Sequence, residues 1–162
     1  MQSIHMLKNV LILLLLISAK SACAQHVADT FQHAESSGYS MQELDKQYKS
    51  AIGTGNVVFK GDDEKRLITA YTDMLFDLNR YLNQNNFRWN SKVRIFNRVY
   101  FEPDGSISYY LVNLKPAGLD EEKQKAFVSL LSNFIQHYKI KITANTRFAQ
   151  CSPVIYEDAI KS

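Results

Sequence analysis

Two cysteines and three prolines in 162 residues leave no material for a disulfide framework or a proline-stiffened spacer. One of the two, Cys23, falls in an N-terminal stretch patterned as an export signal. Cys151 then stands alone, so no intrachain disulfide is expected. The histidines beyond that stretch, His26, His33 and His137, are scattered and lack the spacing of zinc ligands. No phosphate-cradling glycine loop and no dinucleotide fingerprint occur. No apolar run reaches the roughly 20 residues that a spanning helix needs. Neither a metal nor a cofactor is expected from such a chain.

The N-terminal stretch has a basic residue, Lys8, an apolar core from Val10 to Ser18, and small residues at Ala22 and Ala24. This reads as a signal peptide over residues 1–24, with the mature chain starting at Gln25. Lys20, in "KSAC", argues against lipidation of Cys23. Without the two lysines of that stretch, 17 basic residues face 16 acidic ones. A nearly neutral mature chain offers no footprint for nucleic acid. With 46% hydrophobic and 12% aromatic residues, the composition is that of a packed domain rather than a disordered chain. Residues 25–39 read as a flexible lead-in, and residues 40–162 as one domain.

Three helices are legible. "SMQE" at Ser40–Glu43 has the form of a capping box. Leu44, Tyr48 and Ile52 follow at helical spacing until Gly53 and Gly55 stop the pattern. Past Val57, Val58 and Phe59, Gly61 and Asp62 open a longer helix with acids in its first turn. Leu67, Tyr71, Met74, Leu75, Leu78 and Leu82 form its apolar stripe, which fades into Asn83–Asn86. The third helix has Asp120 as N-cap, then Glu121 and Glu122, with Phe127, Leu130, Leu131, Phe134 and Tyr138 as its buried stripe.

Between the second and third helices lies "RVYFEPDGSISYYLV", two strands around a turn in which Pro103 presets φ and Gly105 takes φ > 0. A Glu102–Ser106 pair sets the register. Alternation then places Phe101 opposite Ile107, Val99 opposite Tyr109, Asn97 opposite Leu111 and Ile95 opposite Asn113. The other face carries Arg94, Phe96, Arg98 and Tyr100 beside Ser108, Tyr110 and Val112. A final strand spans "TRFAQCSPVIYE", where Pro153 suits an edge or a bulge. Segregated strands and helices imply an α+β fold: a small antiparallel sheet of hairpin plus final strand, packed on the helix from Asp120, with two N-terminal helices.

From Val93 to Tyr156 the chain resembles the C-terminal domain of TonB-type proteins. The residues that carry the resemblance are "VYFEPDGSISYYLV", "GLDEEKQKAF" and "ANTRFAQCSPVIY". It implies a periplasmic protein-interaction module of a Gram-negative envelope, associated with an outer-membrane system and without catalytic residues. The anchor and proline-rich spacer of the energy transducers are missing, so energy transduction is not implied.

Two functional readings follow. In the first, Arg94, Arg98, Tyr100 and Tyr110 form a partner-binding face, a composition found at interface hot spots. The long helix is the competing occupant of that face, and the outer edge of the final strand is a further route to partners by strand addition. The second reading is a small-molecule binder or minor enzyme with a pocket between the sheet and the N-terminal helices. Its sharpest form pairs Cys151 as nucleophile with His137 as base. A lone cysteine is more often buried and structural, which is the expectation for Cys151.

Overall fold

A single hairpin strand, paired on both sides, is the centre of the sheet. The structure, a computed structural model, describes residues 26–158. The expected signal peptide and Cys23 lie outside the described residues. The elements run β1 (Val27–Thr30), α1 (Phe31–Ser36), α2 (Met41–Gln47), β2 (Lys49–Ser50), α3 (Asp62–Gln84), β3 (Val93–Phe101), β4 (Ile107–Asn113), a 3-10 turn (Lys115–Ala117), α4 (Glu121–His137) and β5 (Phe148–Tyr156). The sheet order is β1-β4-β3-β5-β2. β3 pairs antiparallel with both β4 and β5, whereas β1 joins β4 and β2 joins β5 in parallel.

The fold is α+β, with a larger and mixed sheet in place of the expected antiparallel one. The two added strands come from the N-terminal part of the chain. Val27–Thr30, read as part of a flexible lead-in, pairs with Tyr109–Val112. The Thr30 hydroxyl then accepts the His33 N–H and starts α1. The helix expected over Ser40–Ile52 ends at Gln47, because Lys49 and Ser50 pair with Phe148 and Ala149. Tertiary pairing overrides helical spacing there. The capping box does not form either: Ser40 makes no side-chain cap bond, and Glu35 Oε1 accepts the Met41 N–H. Asp120 caps α4 as expected, accepting the Lys123 N–H at 2.7 Å.

Both long helices lie on one face of the sheet. α3 contributes Leu67, Met74, Leu78 and Leu82 to the core, and α4 contributes Phe127, Leu131 and Ile135. They meet Ile95, Val99, Phe101, Ile107, Tyr110 and Val112. The competing expectation, that the long helix covers the other face, is therefore overturned: its stripe is continuous with that of α4. The second face is covered in part by the short helices. Ala34, Leu44 and Tyr48 pack there with Tyr100, Leu111 and Ala149.

The hairpin register departs from simple alternation at one residue. Phe101 faces Ile107 as expected, but Tyr100 faces Tyr109, Val99 faces Tyr110 and Asn97 faces Val112. Ser108 is the extra residue of a β-bulge, so Ser108 and Tyr109 point in succession to the second face. Tyr110 and Val112 turn under the long helices, while Tyr109 and Leu111 turn under α1 and α2.

β5 resolves the position of Pro153. Lys49 and Ala51 donate to the carbonyls of Arg147 and Ala149, so odd-numbered residues of β5 aim their backbone groups outward. Pro153 thus lacks a donor only on the outer side, and the ladder to β3 loses nothing.

The turn is pinned from outside. Ile140 donates to the Gly105 carbonyl and Ala144 to that of Pro103, both at 3.0 Å. Gly105 has φ +84°, and a Cβ there would lie 2.6 Å from the Ile140 carbonyl oxygen. Gly105→Ala is expected to destabilise the protein by about 1–3 kcal/mol from backbone strain, with the clash adding to it. Urea unfolding midpoints of the two proteins measure the difference.

Candidate functional site

The second sheet face holds three of the four residues expected at a partner site. Arg94, Arg98 and Tyr100 alternate along β3 and share it. Tyr110 does not, because the bulge turns it to the opposite face. There it is fully buried beside Asn97, whose Nδ2 donates to the Tyr110 hydroxyl at 2.9 Å. Tyr100 is buried too, and donates from its hydroxyl to Asp45 Oδ1 at 3.1 Å. Arg98 is ion-paired with the same carboxylate. Asp45 comes from α2. Its role depends on α2 lying across β3, and no local pattern announces that.

Beside this pair, Glu102 gathers three donors. Its carboxylate accepts from Ser108 Oγ at 2.7 Å, Arg147 Nε at 2.8 Å and the Tyr48 hydroxyl at 2.9 Å. Burial alone would raise its pKa, but the three hydrogen bonds and the Arg147 charge outweigh burial and hold it below the ordinary value. Burial and the same carboxylate push Tyr48 up to about 12. The cluster staples α2 and the bulge to the turn; all of its groups are mutually satisfied.

Cys151 corrects the sequence reading. It is exposed rather than buried, and sits opposite Arg98 in the β3–β5 register. Desolvation by the surrounding sheet raises the thiol pKa, and the nearby Arg98 charge opposes this only in part. His137 belongs to the last turn of α4, beyond the other face, so the two never form a nucleophile–base pair.

Past the short helices the second face is uncovered. Phe31 of α1 meets Phe96 edge-on at 6.3 Å and marks the boundary. Beyond it Arg94, Phe96, Cys151, Pro153 and Ile155 are exposed, with Phe96 at 37% and Ile155 at 59%. Arg94 makes no ion pair among the described residues. Along the outer margin of β5, a groove of about 370 Å³ runs against α3 between Leu75, Phe76, Val154 and Ile155, with Phe76 69% exposed. Among the described residues nothing bonds the backbone of β5 on this side past Ala149 except the Gln150 side chain, which donates to the Cys151 carbonyl. Phe96 and Ile155 were absent from the expected site, although the alternation of β3 placed Phe96 beside Arg94 and Arg98.

Under the first of the two expected N-terminal helices the space is filled by Tyr39, Tyr48, Tyr100 and Tyr109 in ring contact, whereas between the sheet and the second, α3, lies the groove at Leu75, Phe76, Val154 and Ile155. A cavity of about 530 Å³ does open elsewhere, between α4 and the β1–α1 junction, where His33 Nδ1 lies 2.6 Å from Asp29. No cluster of three metal-ligating side chains and no helix able to cross a membrane occurs among the described residues. Comparison with protein-family models, with curated proteins and with solved structures gives no match.

Two measurements check this electrostatic picture. Glu102 has a folded pKa below the unfolded 4.5, so its stabilisation is complete above pH 4.5 and is lost as pH falls through the folded value. Glu102→Gln is expected to cost about 1–2 kcal/mol at pH 7, with the gap to the parent closing in acid. Cys151, accessible but unactivated, is expected to react with iodoacetamide in the native state about tenfold faster per pH unit from 7 to 9. A rate that is flat over that range would mean an activated thiolate.

Proposed function

We propose that this chain is an exported periplasmic protein-interaction module of TonB C-terminal type, without catalytic activity, that docks a protein of the bacterial envelope. The observation that carries the proposal is the uncovered half of the second sheet face. Phe96, Pro153 and Ile155 present apolar surface across two paired strands, with the Arg94 guanidinium at its margin. Rigid strands hold these side chains at little further entropic cost, which suits them as anchors. A contiguous apolar patch beside an unpaired cation marks an interaction site more readily than a solvated surface. Export rests on the N-terminal pattern, with the mature chain starting at Gln25 and no lipid on Cys23.

Three of the four residues first assigned to the interface act differently. Tyr110 and Tyr100 shape and support the face from within, and Arg98 is tied to Asp45. The contacts to a partner fall to Arg94, Phe96 and Ile155. The alternative, a small-molecule binder, is favoured by the groove between α3 and β5, whose Phe76 and Ile155 are exposed, and by the cavity at Asp29 and His33, where the His33 side chain is largely exposed.

The exported protein and an Arg94→Glu/Phe96→Ala/Ile155→Asp variant are compared for capture of envelope protein and for thermal unfolding. The expected outcome is at least a tenfold loss of capture, about 1.4 kcal/mol, with unfolding nearly unchanged. Equal capture by both would exclude this face. Tyr110→Ala, by contrast, is expected to lower stability by about 3 kcal/mol as a core truncation.

A further inference from the structure

The seat of α2 shows how this sheet face is covered. Leu44 packs with Tyr100 and Leu111, and the next residue, Asp45, pairs with Arg98. One turn of helix thus brings an aliphatic side chain to the apolar surface and a carboxylate to the arginine. Arg94 stands in the same row of β3 as Arg98, four residues nearer the open end. Beside it lie Phe96 and, on the neighbouring strand, Pro153 and Ile155. The open half repeats the arrangement that α2 covers, a basic side chain beside apolar surface. Among the described residues no acid pairs with this second arginine.

The spacing suits a further helix in the same layer. Packed helices lie about 8–10 Å apart and a strand rises about 3.3 Å per residue, so a helix set beside α2 along β3 is displaced by about three residues. That step leads from Tyr100 and Arg98 to Phe96 and Arg94. Phe31, edge-on to Phe96, walls the space on the side of α1. An added strand fits less well, because Pro153 offers the edge of β5 no donor and the Gln150 side chain already bonds the Cys151 carbonyl at 3.1 Å. A helix satisfies its own backbone and asks only side-chain contacts of the sheet. The unpaired guanidinium of Arg94 selects a carboxylate.

We infer that the partner docks through an amphipathic helix that continues the layer of α1 and α2 over Phe96, Pro153 and Ile155 and sets an aspartate or glutamate against Arg94. This rests on the reading of the open face as a partner site and names the chemistry of what fills it. The partner's helix carries its acid at the border of its apolar stripe, as α2 does with Leu44 and Asp45. Lysine or arginine at that border would face Arg94 and is selected against.

The probe is a displayed library of peptides of about 16 residues on a helix-forming background, randomised along one face. A library of unstructured peptides of the same length is selected beside it on the exported protein. Helical binders are expected to carry an acid beside an apolar stripe, to gain helical circular dichroism on binding, and to shift the NMR signals of Arg94, Phe96 and Ile155. Arg94→Glu is expected to weaken them about tenfold or more, and lysine in place of the peptide's acid to restore binding to that variant. Binders that stay extended, or that ignore the charge at Arg94, overturn the inference and leave the face a partner site. Self-association in sedimentation that Ile155→Asp abolishes also overturns it, the occupant then being a second copy. No binder from either library at Phe96 and Ile155 overturns it together with the reading of the face.

Discussion

Ser108 has no partner of its own in β3, and what each face of the sheet presents beyond it depends on that. Upstream of the bulge the hairpin follows the turn; downstream every side chain of β4 is displaced to the face opposite the one alternation predicts. The displacement puts Tyr110 against Asn97 and sends Tyr109 to Tyr39 and Tyr48, which flank α2, while Ser108 bonds Glu102. Glu102 in turn holds Arg147 at the entry to β5 and Tyr48 at the exit from α2. One extra residue thus links the turn, the short-helix layer and the final strand.

The interior of the helix-covered face carries more polar chemistry than its apolar pattern suggests. Asn97 bridges the two flanking strands through Tyr110 and Tyr156, and Tyr71 of α3 reaches Ser152 of β5 at 2.9 Å. Burial raises the pKa of all three phenols, so they remain neutral hydrogen-bonding groups at physiological pH. Trp89 stacks on Tyr156 at 5.2 Å, and the Asp158 carboxylate accepts the Trp89 and Asn90 N–H groups. These bonds fasten the loop before β3 to the end of β5.

The outer half of the second face stays open for a topological reason. α1 and α2 come from residues 31–47 and are short, and their chain must return to pair at Lys49–Ser50 with the start of β5. They therefore cover the turn-proximal end of β3 and β5 and leave the end bearing Arg94, Phe96, Pro153 and Ile155. Pro153 withholds one donor from the exposed edge, a common protection against indiscriminate strand pairing. An open face next to a guarded edge favours recognition through side chains.

Local signals were legible where the interaction is local. The Pro103–Gly105 turn, the Asp120 cap, the stripes of α3 and α4 and the position of β5 follow from short-range sterics, capping and hydrophobic period. The α+β class follows from their order. The bulge was not legible, because Tyr-Tyr-Leu-Val places one tyrosine and one aliphatic side chain on each face in either register. β1 and β2 were hidden because strands of four and two residues exist only through the neighbours they pair with. Among the site residues, Arg94 and Arg98 could be placed by alternation. The burial of Tyr110, the tie to Asp45 and the exposure of Cys151 could not, since each depends on which helix lies over which face. The chain by itself determined its longer elements and their order; the pairing of β4 and the seating of the short helices decided the surface, because both are settled by contacts between residues far apart in sequence.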